Sequence, residues 1–90
     1  MFFKPDIEKI KKDGKIEKLI PHLKHRNAGI REEALRAIFD LSDYNPEILQ
    51  PYRFMMKDKK FDVRIRAALL YGRLGDEGAL DNMLEIIAHG

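Results

Sequence analysis

The chain has 90 residues, of which 44% are hydrophobic and 36% are charged, and its formal net charge is +2, which together indicate one small globular domain rather than a disordered segment. The sequence contains no cysteine, which excludes disulfide bonds, thiol catalysis and cysteine-based zinc sites. No apolar run approaches membrane-spanning length and Met1–Phe3 is too short for a signal peptide, so we expect a cytoplasmic protein without a membrane segment.

Residues 1–13 are predicted to form a short helix that caps the domain. Pro5 suits the first turn of a helix, and the negative charge of Asp6 opposes the positive end of the helix dipole. Ile7 is expected to point inward, and Gly14 follows the end of the helix.

Residues 14–43 are predicted to form a helical hairpin. Its first helix spans about residues 15–25, and Pro21 is expected to kink it or to loosen its hydrogen bonding, because proline cannot donate a backbone hydrogen bond. Asn27 is a favourable N-cap for the second helix, which runs to about Leu41. Apolar residues recur every three or four positions in both helices, so each helix has one apolar side. These residues are Ile16, Leu19, Ile20 and Leu23 in the first helix and Ile30, Ala34, Ala37, Ile38 and Leu41 in the second.

Residues 44–75 are predicted to form a second hairpin of the same kind. Asn45 is expected to cap its first helix, which spans about residues 46–58 and contains a proline near its middle. Asp62 is a candidate cap for its second helix. Gly75 ends that helix as a C′ glycine, and Asp76 after it is a candidate cap. The apolar side of the first helix is predicted to consist of Ile48, Leu49, Tyr52, Met55 and Met56.

Residues 76–90 are predicted to form one further helix, the first half of a third hairpin. Its apolar positions are expected to face the core in the same way as those of the first helix in the first hairpin. These positions are Leu80, Met83, Leu84 and Ile87. A second copy of the chain is one possible source of the missing half, so a homodimer is an open alternative.

The second helices of the two hairpins are related by an internal repeat with an offset of about 33 residues, a period found in helical solenoids. A β-branched residue, an arginine and a small alanine recur at the same spacing, and the alanine lets two helices approach closely. The matched pairs are Ile30 with Val63, Arg31 with Arg64, Ala34 with Ala67, Ala37 with Leu70, Ile38 with Tyr71, and Leu41 with Leu74.

This pattern resembles the HEAT repeat, and more closely the compact HEAT-like arrays of prokaryotic proteins. The resemblance implies an all-α, right-handed superhelical stack of about two and a half helical hairpins, an armadillo-like α-α solenoid. Tetratricopeptide and ankyrin repeats have similar periods, but the chain has neither tryptophan nor a Thr-Pro-Leu-His motif. An ordinary helical bundle whose halves are similar by chance is the alternative.

The resemblance implies a non-catalytic protein-interaction or scaffolding module, without cofactor or metal, whose partner is another protein bound at the concave face. It also implies that Arg31 and Arg64 have a stacking role, in which each meets carboxylates or helix-end carbonyls of a neighbouring unit. Because some HEAT-like repeats occur in bilin lyase-type proteins, a non-catalytic subunit of such an enzyme is a further alternative.

The second copy differs from the first at positions that should face solvent. Glu32 and Arg36 are replaced by Ile65 and Leu69, and Phe39 also lies off the apolar side of its helix. In HEAT-like solenoids this side lines the concave surface, so an apolar patch there predicts an interface. The alternative is that the terminal helix folds across the patch and buries it.

Two arginines, Arg66 and Arg73, lie near this predicted patch and are candidates for contacting an acidic ligand. The predicted partner-binding residues are therefore Phe39, Ile65, Arg66, Leu69 and Arg73.

Charge is distributed unevenly along the chain. The first segment is rich in lysine, and no lysine or arginine follows Arg73. A solvated lysine face explains this simply, whereas steering of two copies or of an acidic partner is the functional alternative. A nucleic-acid-binding accessory protein that uses the lysine-rich segment is also open, although a net charge of +2 makes nucleic acid an unfavoured partner.

Catalytic and metal-binding patterns are weak. His22 and His25 share a helical face, but no cysteine or carboxylate pair completes a metal site. Glu32 and Glu33 are adjacent and diverge on a helix, so they cannot act as an acid-base pair. We therefore predict no catalytic, cofactor or metal residues.

Overall fold

The computed structural model describes residues 5–41 and 46–89, and every regular element within these ranges is helical. This confirms the all-α fold class. The chain divides into two compact units, Met1–Asp43 and Tyr44–Gly90. The first unit contains α1 (Ile7–Lys12), two 3₁₀ segments (Ile16–Lys18 and Ile20–Lys24) and α2 (Ala28–Asp40). The second contains α3 (Pro46–Leu49), a 3₁₀ helix (Gln50–Lys57), α4 (Phe61–Arg73) and α5 (Glu77–His89).

Helix α1 ends as the sequence predicts, but it begins after Asp6, so Pro5 precedes the helix and does not lie in its first turn. Asp6 is its N-cap, and one of its carboxylate oxygens accepts a hydrogen bond from the backbone N–H of Lys9 at 3.1 Å. Ile7 is buried, and Gly14 has a φ of 70°, a conformation that glycine adopts without strain. Helix α1 packs against α2.

The segment that follows α1 is not the bent α-helix that the sequence predicts. It consists of 3₁₀ turns, in which Leu19 N–H bonds to Ile16 at 2.8 Å and His22 N–H bonds to Leu19 at 3.0 Å. Pro21 supplies the physical reason, since it lacks an N–H and its ring clashes with the carbonyl four residues before it. The apolar residues nevertheless face inward, and Ile16, Leu19 and Leu23 are buried.

Helix α2 follows the prediction closely. The side chain of Asn27 accepts hydrogen bonds from the N–H groups of Gly29 at 2.8 Å and Ile30 at 3.3 Å. Ala34, like Ile30, is buried, and its small side chain permits close packing against the second 3₁₀ segment. The other buried residues of α2 are Leu35, Ala37 and Ile38.

The first helix of the second hairpin also differs from the prediction, in the same way as that of the first hairpin. The predicted helix over residues 46–58 is divided into α3 and a 3₁₀ helix, because Pro51 interrupts the α-helical hydrogen bonds. Leu49 and the two methionines of the predicted apolar side are buried, whereas Ile48 is 41% exposed. The predicted cap Asn45 lies outside the described residues.

Helix α4 begins two residues earlier than the sequence predicts. Lys60 occupies the N-cap position, and Asp62 lies within the first turn, so the prediction that Asp62 caps the helix was wrong. Asp58 orders the preceding turn instead, because its side chain accepts a hydrogen bond from Lys60 N–H at 2.9 Å. Gly75 follows the helix with a φ of 85°, as expected of a C′ glycine.

The repeated arginines each bind two backbone carbonyls. Arg31 Nη1 donates to the carbonyl oxygens of His25 at 2.7 Å and Arg26 at 3.0 Å. Arg64 Nη1 donates at 3.0 and 3.1 Å to the carbonyl oxygens six and five residues before it. These carbonyls lie in the turn of the arginine's own hairpin. Each arginine closes the hairpin to which it belongs.

Helix α5 is rotated relative to its predicted register. The buried positions are Ala79 (2% exposed) and Ile86 (6% exposed), and the predicted core residues are displaced from the centre of the interface with α4. A β-carbon added at Gly72 would lie 3.8 Å from the β-carbon of Ala79, which shows how closely α4 and α5 approach. A small residue fits this contact, and a leucine does not. Of the predicted core residues, Leu80, Leu84 and Ile87 are 67%, 57% and 73% exposed.

Candidate partner-binding surface

Four of the five predicted partner-binding residues lie on α4 of the second unit. Leu69 is 42% exposed, Arg73 is exposed, and Ile65 and Arg66 are half-buried. The remaining residue, Phe39, is half-buried on α2 of the first unit. The spacing of three and four residues along α4 places its four residues on one side of the helix.

A groove of about 560 Å³ runs between α4 and α5 beside Leu69. Small residues let the two helices approach, and larger apolar side chains form the edges. These residues are Ala68, Leu69, Gly72, Ala79, Leu80 and Met83. Asp76 and Glu77 place carboxylates at one end of the groove. The groove therefore combines an apolar length with an acidic end.

The terminal helix does not bury Leu69. Helix α5 packs on the side of α4 that carries Ala68 and Gly72, so Leu69 remains 42% exposed at the edge of the groove. The side chain of Leu69 is consequently accessible to a ligand. Its neighbour Leu80, on the opposite edge, is 67% exposed.

One partly buried carboxylate, that of Asp76, lies at the end of the groove. Asp76 accepts a bidentate pair of hydrogen bonds from Arg53, with Nε to Oδ2 at 2.6 Å and Nη2 to Oδ1 at 2.9 Å. Its Oδ1 also accepts the N–H of Gly78 at 2.9 Å, which caps α5. The hydrogen bonds from Arg53 lower the pKa of Asp76, and the same contact raises the pKa of Arg53. The sequence predicted the cap but gave no sign of the arginine, which is 23 residues away.

The buried hydroxyl of Tyr71 is structural. It donates a hydrogen bond to the carbonyl oxygen of Leu49, the last residue of α3. Burial raises the pKa of Tyr71 above its ordinary value, so the hydroxyl stays protonated at neutral pH and serves as a donor. The contact ties α4 to the start of the second unit.

A smaller groove on the second unit, of about 370 Å³, was not predicted from the sequence. Phe54 lies at this groove and is 59% exposed, and Arg53 and Asn82 also line it. The signal available in the sequence was an aromatic residue directly before the buried Met55, at a position that the helical period does not assign to the core.

The lysine-rich first segment is partly neutralised within its own unit. Lys11 Nζ lies 2.8 Å from Asp40 Oδ2, and this hydrogen bond raises the pKa of Lys11. Lys18 Nζ lies 3.5 Å from Asp13 Oδ2. Such pairing reduces the positive field that a nucleic-acid phosphate backbone would meet.

The two histidines of the first unit do not converge on a common point with other metal ligands. Their ring centroids are 6.5 Å apart, and His25 Nδ1 accepts a hydrogen bond from Asn27 N–H at 3.0 Å. In residues 5–41 and 46–89, no group of three or more His, Cys, Asp or Glu side chains is placed to hold a metal ion. Nor does any helix of that part have the length and apolar character needed to cross a membrane.

The family model described as HEAT repeats matches residues 16–90, which is most of the chain. No curated protein and no solved structure matches.

Proposed function

The chain belongs to the HEAT repeat family, and from this we propose that it is a non-catalytic protein-interaction or scaffolding module that binds a partner protein at the exposed side of α4. The proposed contacts on this helix are Ile65, Arg66, Leu69 and Arg73. The observation that carries the proposal is the exposed Leu69 at the edge of an apolar groove. Apolar grooves bordered by polar groups are typical of protein-binding sites.

The chemistry around Leu69 indicates which partner would fit. An apolar side chain of the partner would insert between Leu69 and Leu80, where it removes apolar surface from water. Arg66 and Arg73 lie three residues before and four residues after Leu69, on the same side of α4. Acidic residues next to the inserted side chain would meet these guanidinium groups.

Phe39 is proposed as a separate contact on the first unit. It lies near the end of α2, and its aromatic ring is half-buried. Aromatic residues are enriched among those that carry binding energy in protein interfaces.

The side chains at the groove favour binding rather than catalysis. The carboxylate of Asp76 is occupied by Arg53 and by the N-terminus of α5, and the long walls of the groove are apolar. A general acid or base needs a group with a pKa near neutrality, whereas the pKa of Asp76 is lowered.

The experiment compares two apolar residues of equal exposure, Leu69 (42%) and Ile48 (41%). A photo-crosslinking amino acid is placed at one or the other position, and the chain is irradiated in an extract of the source organism. We expect a discrete crosslinked protein from position 69 and none from position 48. Leu69→Glu should abolish capture by an affinity-tagged chain, and Ile48→Glu should leave it unchanged. Equal crosslinking from both positions, or none from position 69, would contradict the proposal.

A further inference from the structure

Helix α5 has more apolar surface than its packing against α4 uses. Six of its apolar positions, read at 3.6 residues per turn, occupy an arc of about 160°. They are Ala79, Leu80, Met83, Leu84, Ile86 and Ile87. Ala79 and Ile86 lie at one edge of this arc and are buried. The outer part, which we call the α5 outer face, consists of Leu80, Leu84 and Ile87, with 67%, 57% and 73% exposure.

An acidic row runs beside the α5 outer face. Glu77, Asp81 and Glu85 recur every four residues and therefore follow the helix along the same flank. The carboxylate of Glu85 lies 3.3 Å from Lys57 Nζ in an exposed pair. Glu77 and Asp81 have no salt-bridge partner among the residues that the structure describes, and α5 contains no lysine or arginine.

We propose that the α5 outer face binds an amphipathic helix of a partner protein, and that this helix carries lysine or arginine beside its apolar side. The apolar row of α5 would receive the apolar side of the partner, as one helix of a hairpin receives the other. The acidic row would pair with the basic residues and set the orientation of the bound helix. Leu84 and Ile87 do not line the groove at Leu69, so this surface shares only Leu80 with the proposed α4 contact and extends beyond it.

A second copy of the chain fits this face less well. Two α5 helices paired antiparallel about a twofold axis would place the acidic row of one against the acidic row of the other. The lysine-rich helix α1 has the required charge, but it has only six residues and is about 9 Å long, whereas α5 has 13 residues and is about 20 Å long. Its buried Ile7 is already used within the first unit.

The test uses two designed peptide helices with the same leucine side. One carries lysines beside the leucines, and the other carries glutamates at the same positions. Binding of each fluorescently labelled peptide to the full chain is measured by anisotropy at low and moderate salt. We expect the lysine peptide to bind at least tenfold more tightly than the glutamate peptide, with an affinity that falls as salt screens the acidic row.

Two variants locate the bound peptide. Leu84→Glu should weaken binding of the lysine peptide about tenfold or more by placing a charge within the apolar row. Asp81→Lys changes an exposed flank residue, so the fold is retained, and it should reduce the preference for the lysine peptide, because the acidic row falls from three negative charges to a net charge of −1. Ile48→Glu, at a 41% exposed position away from α5, serves as the control and should bind as the wild type does.

Equal binding of the two peptides, absence of binding, or binding unaffected by both α5 variants would overturn the proposal. Light scattering supplies one more decisive outcome: a dimer that Leu84→Glu converts to monomer would show that a second copy occupies the face. The crosslinking experiment probes Leu69 on α4, whereas the peptide experiment probes Leu84 and Asp81 on α5. The proposed function and this proposal can therefore be refuted separately.

Discussion

We expect Asp76, which lies at the end of the groove, to stabilise the second unit. Its carboxylate caps α5 through Gly78 and receives two hydrogen bonds from Arg53 on the 3₁₀ helix. Asp76→Ala removes both functions, whereas Asp76→Asn keeps a side-chain oxygen for the cap and loses the charge. Because asparagine and aspartate are similar N-caps, we expect Asp76→Ala to be less stable than Asp76→Asn by about 1 kcal/mol.

Because Asp76 is charged, its contribution to the free energy of unfolding should depend on pH. Arg53 holds the pKa of Asp76 below its ordinary value, so the carboxylate form stabilises the folded state above the unfolded pKa of about 3.9. This contribution is lost as pH falls through the lower, folded-state pKa. The difference in unfolding free energy between wild type and Asp76→Asn should therefore be complete at neutral pH and shrink below about pH 4.

Urea unfolding followed by circular dichroism at neutral and acidic pH measures both effects. Asp81→Asn is the matched control, since Asp81 is exposed on the same helix, and it should change the free energy by no more than about 0.5 kcal/mol. Equal stability of Asp76→Ala and Asp76→Asn would refute the capping role. A wild-type advantage over Asp76→Asn that does not change with pH would refute the role of charge.

Three further predictions concern the second unit, each measured by urea unfolding. Tyr71→Phe leaves the buried carbonyl of Leu49 without its donor and should cost about 1–3 kcal/mol; an unchanged midpoint would show that the hydroxyl contributes nothing. Gly75→Ala should destabilise by about 1 kcal/mol because its φ is 85°, while Gly72→Ala, within a helix and with room for a β-carbon, should stabilise by up to about 1 kcal/mol; the same sign for both would contradict this reasoning. Arg64→Lys replaces the planar guanidinium, whose Nη1 donates to both carbonyls, by a flexible and more strongly hydrated ammonium and should cost about 1 kcal/mol, so a neutral result would argue against hairpin closure.

Features set by a few neighbouring residues could be predicted from the sequence. Asn27 is an N-cap and Gly75 is a C′ glycine because their local chemistry permits few alternatives. The buried side of α2 followed from its period for the same reason. Pro21 and Pro51 correctly indicated interrupted helices, yet the sequence analysis did not predict that the segments around them would be 3₁₀.

Contacts between residues that are distant in the sequence could not be predicted from local sequence patterns. The pairing of Arg53 with Asp76 and the bond from Tyr71 to Leu49 each join residues more than 20 positions apart. The sequence pattern predicted that Asp76 is a cap and that Tyr71 belongs to the core. It did not predict which polar group would pair with either side chain. For Leu69, its exposure depended on the direction in which α5 packs, and the α4 sequence alone leaves that direction open.

The register of α5 shows how a correct pattern can lead to a wrong face. An apolar arc of about 160° is wider than one neighbouring helix covers, so the period identifies the helix but leaves two possible inner sides. The large side chains of Leu80, Leu84 and Ile87 suggested one side, whereas the close approach to Gly72 selects the side with Ala79. Small residues at a helix crossing thus outweigh a greater hydrophobic area, because a leucine at the crossing would force the helices apart and lose the contacts around it. The three large residues are left outside beside an acidic row, and this is the arrangement from which a second docking surface follows.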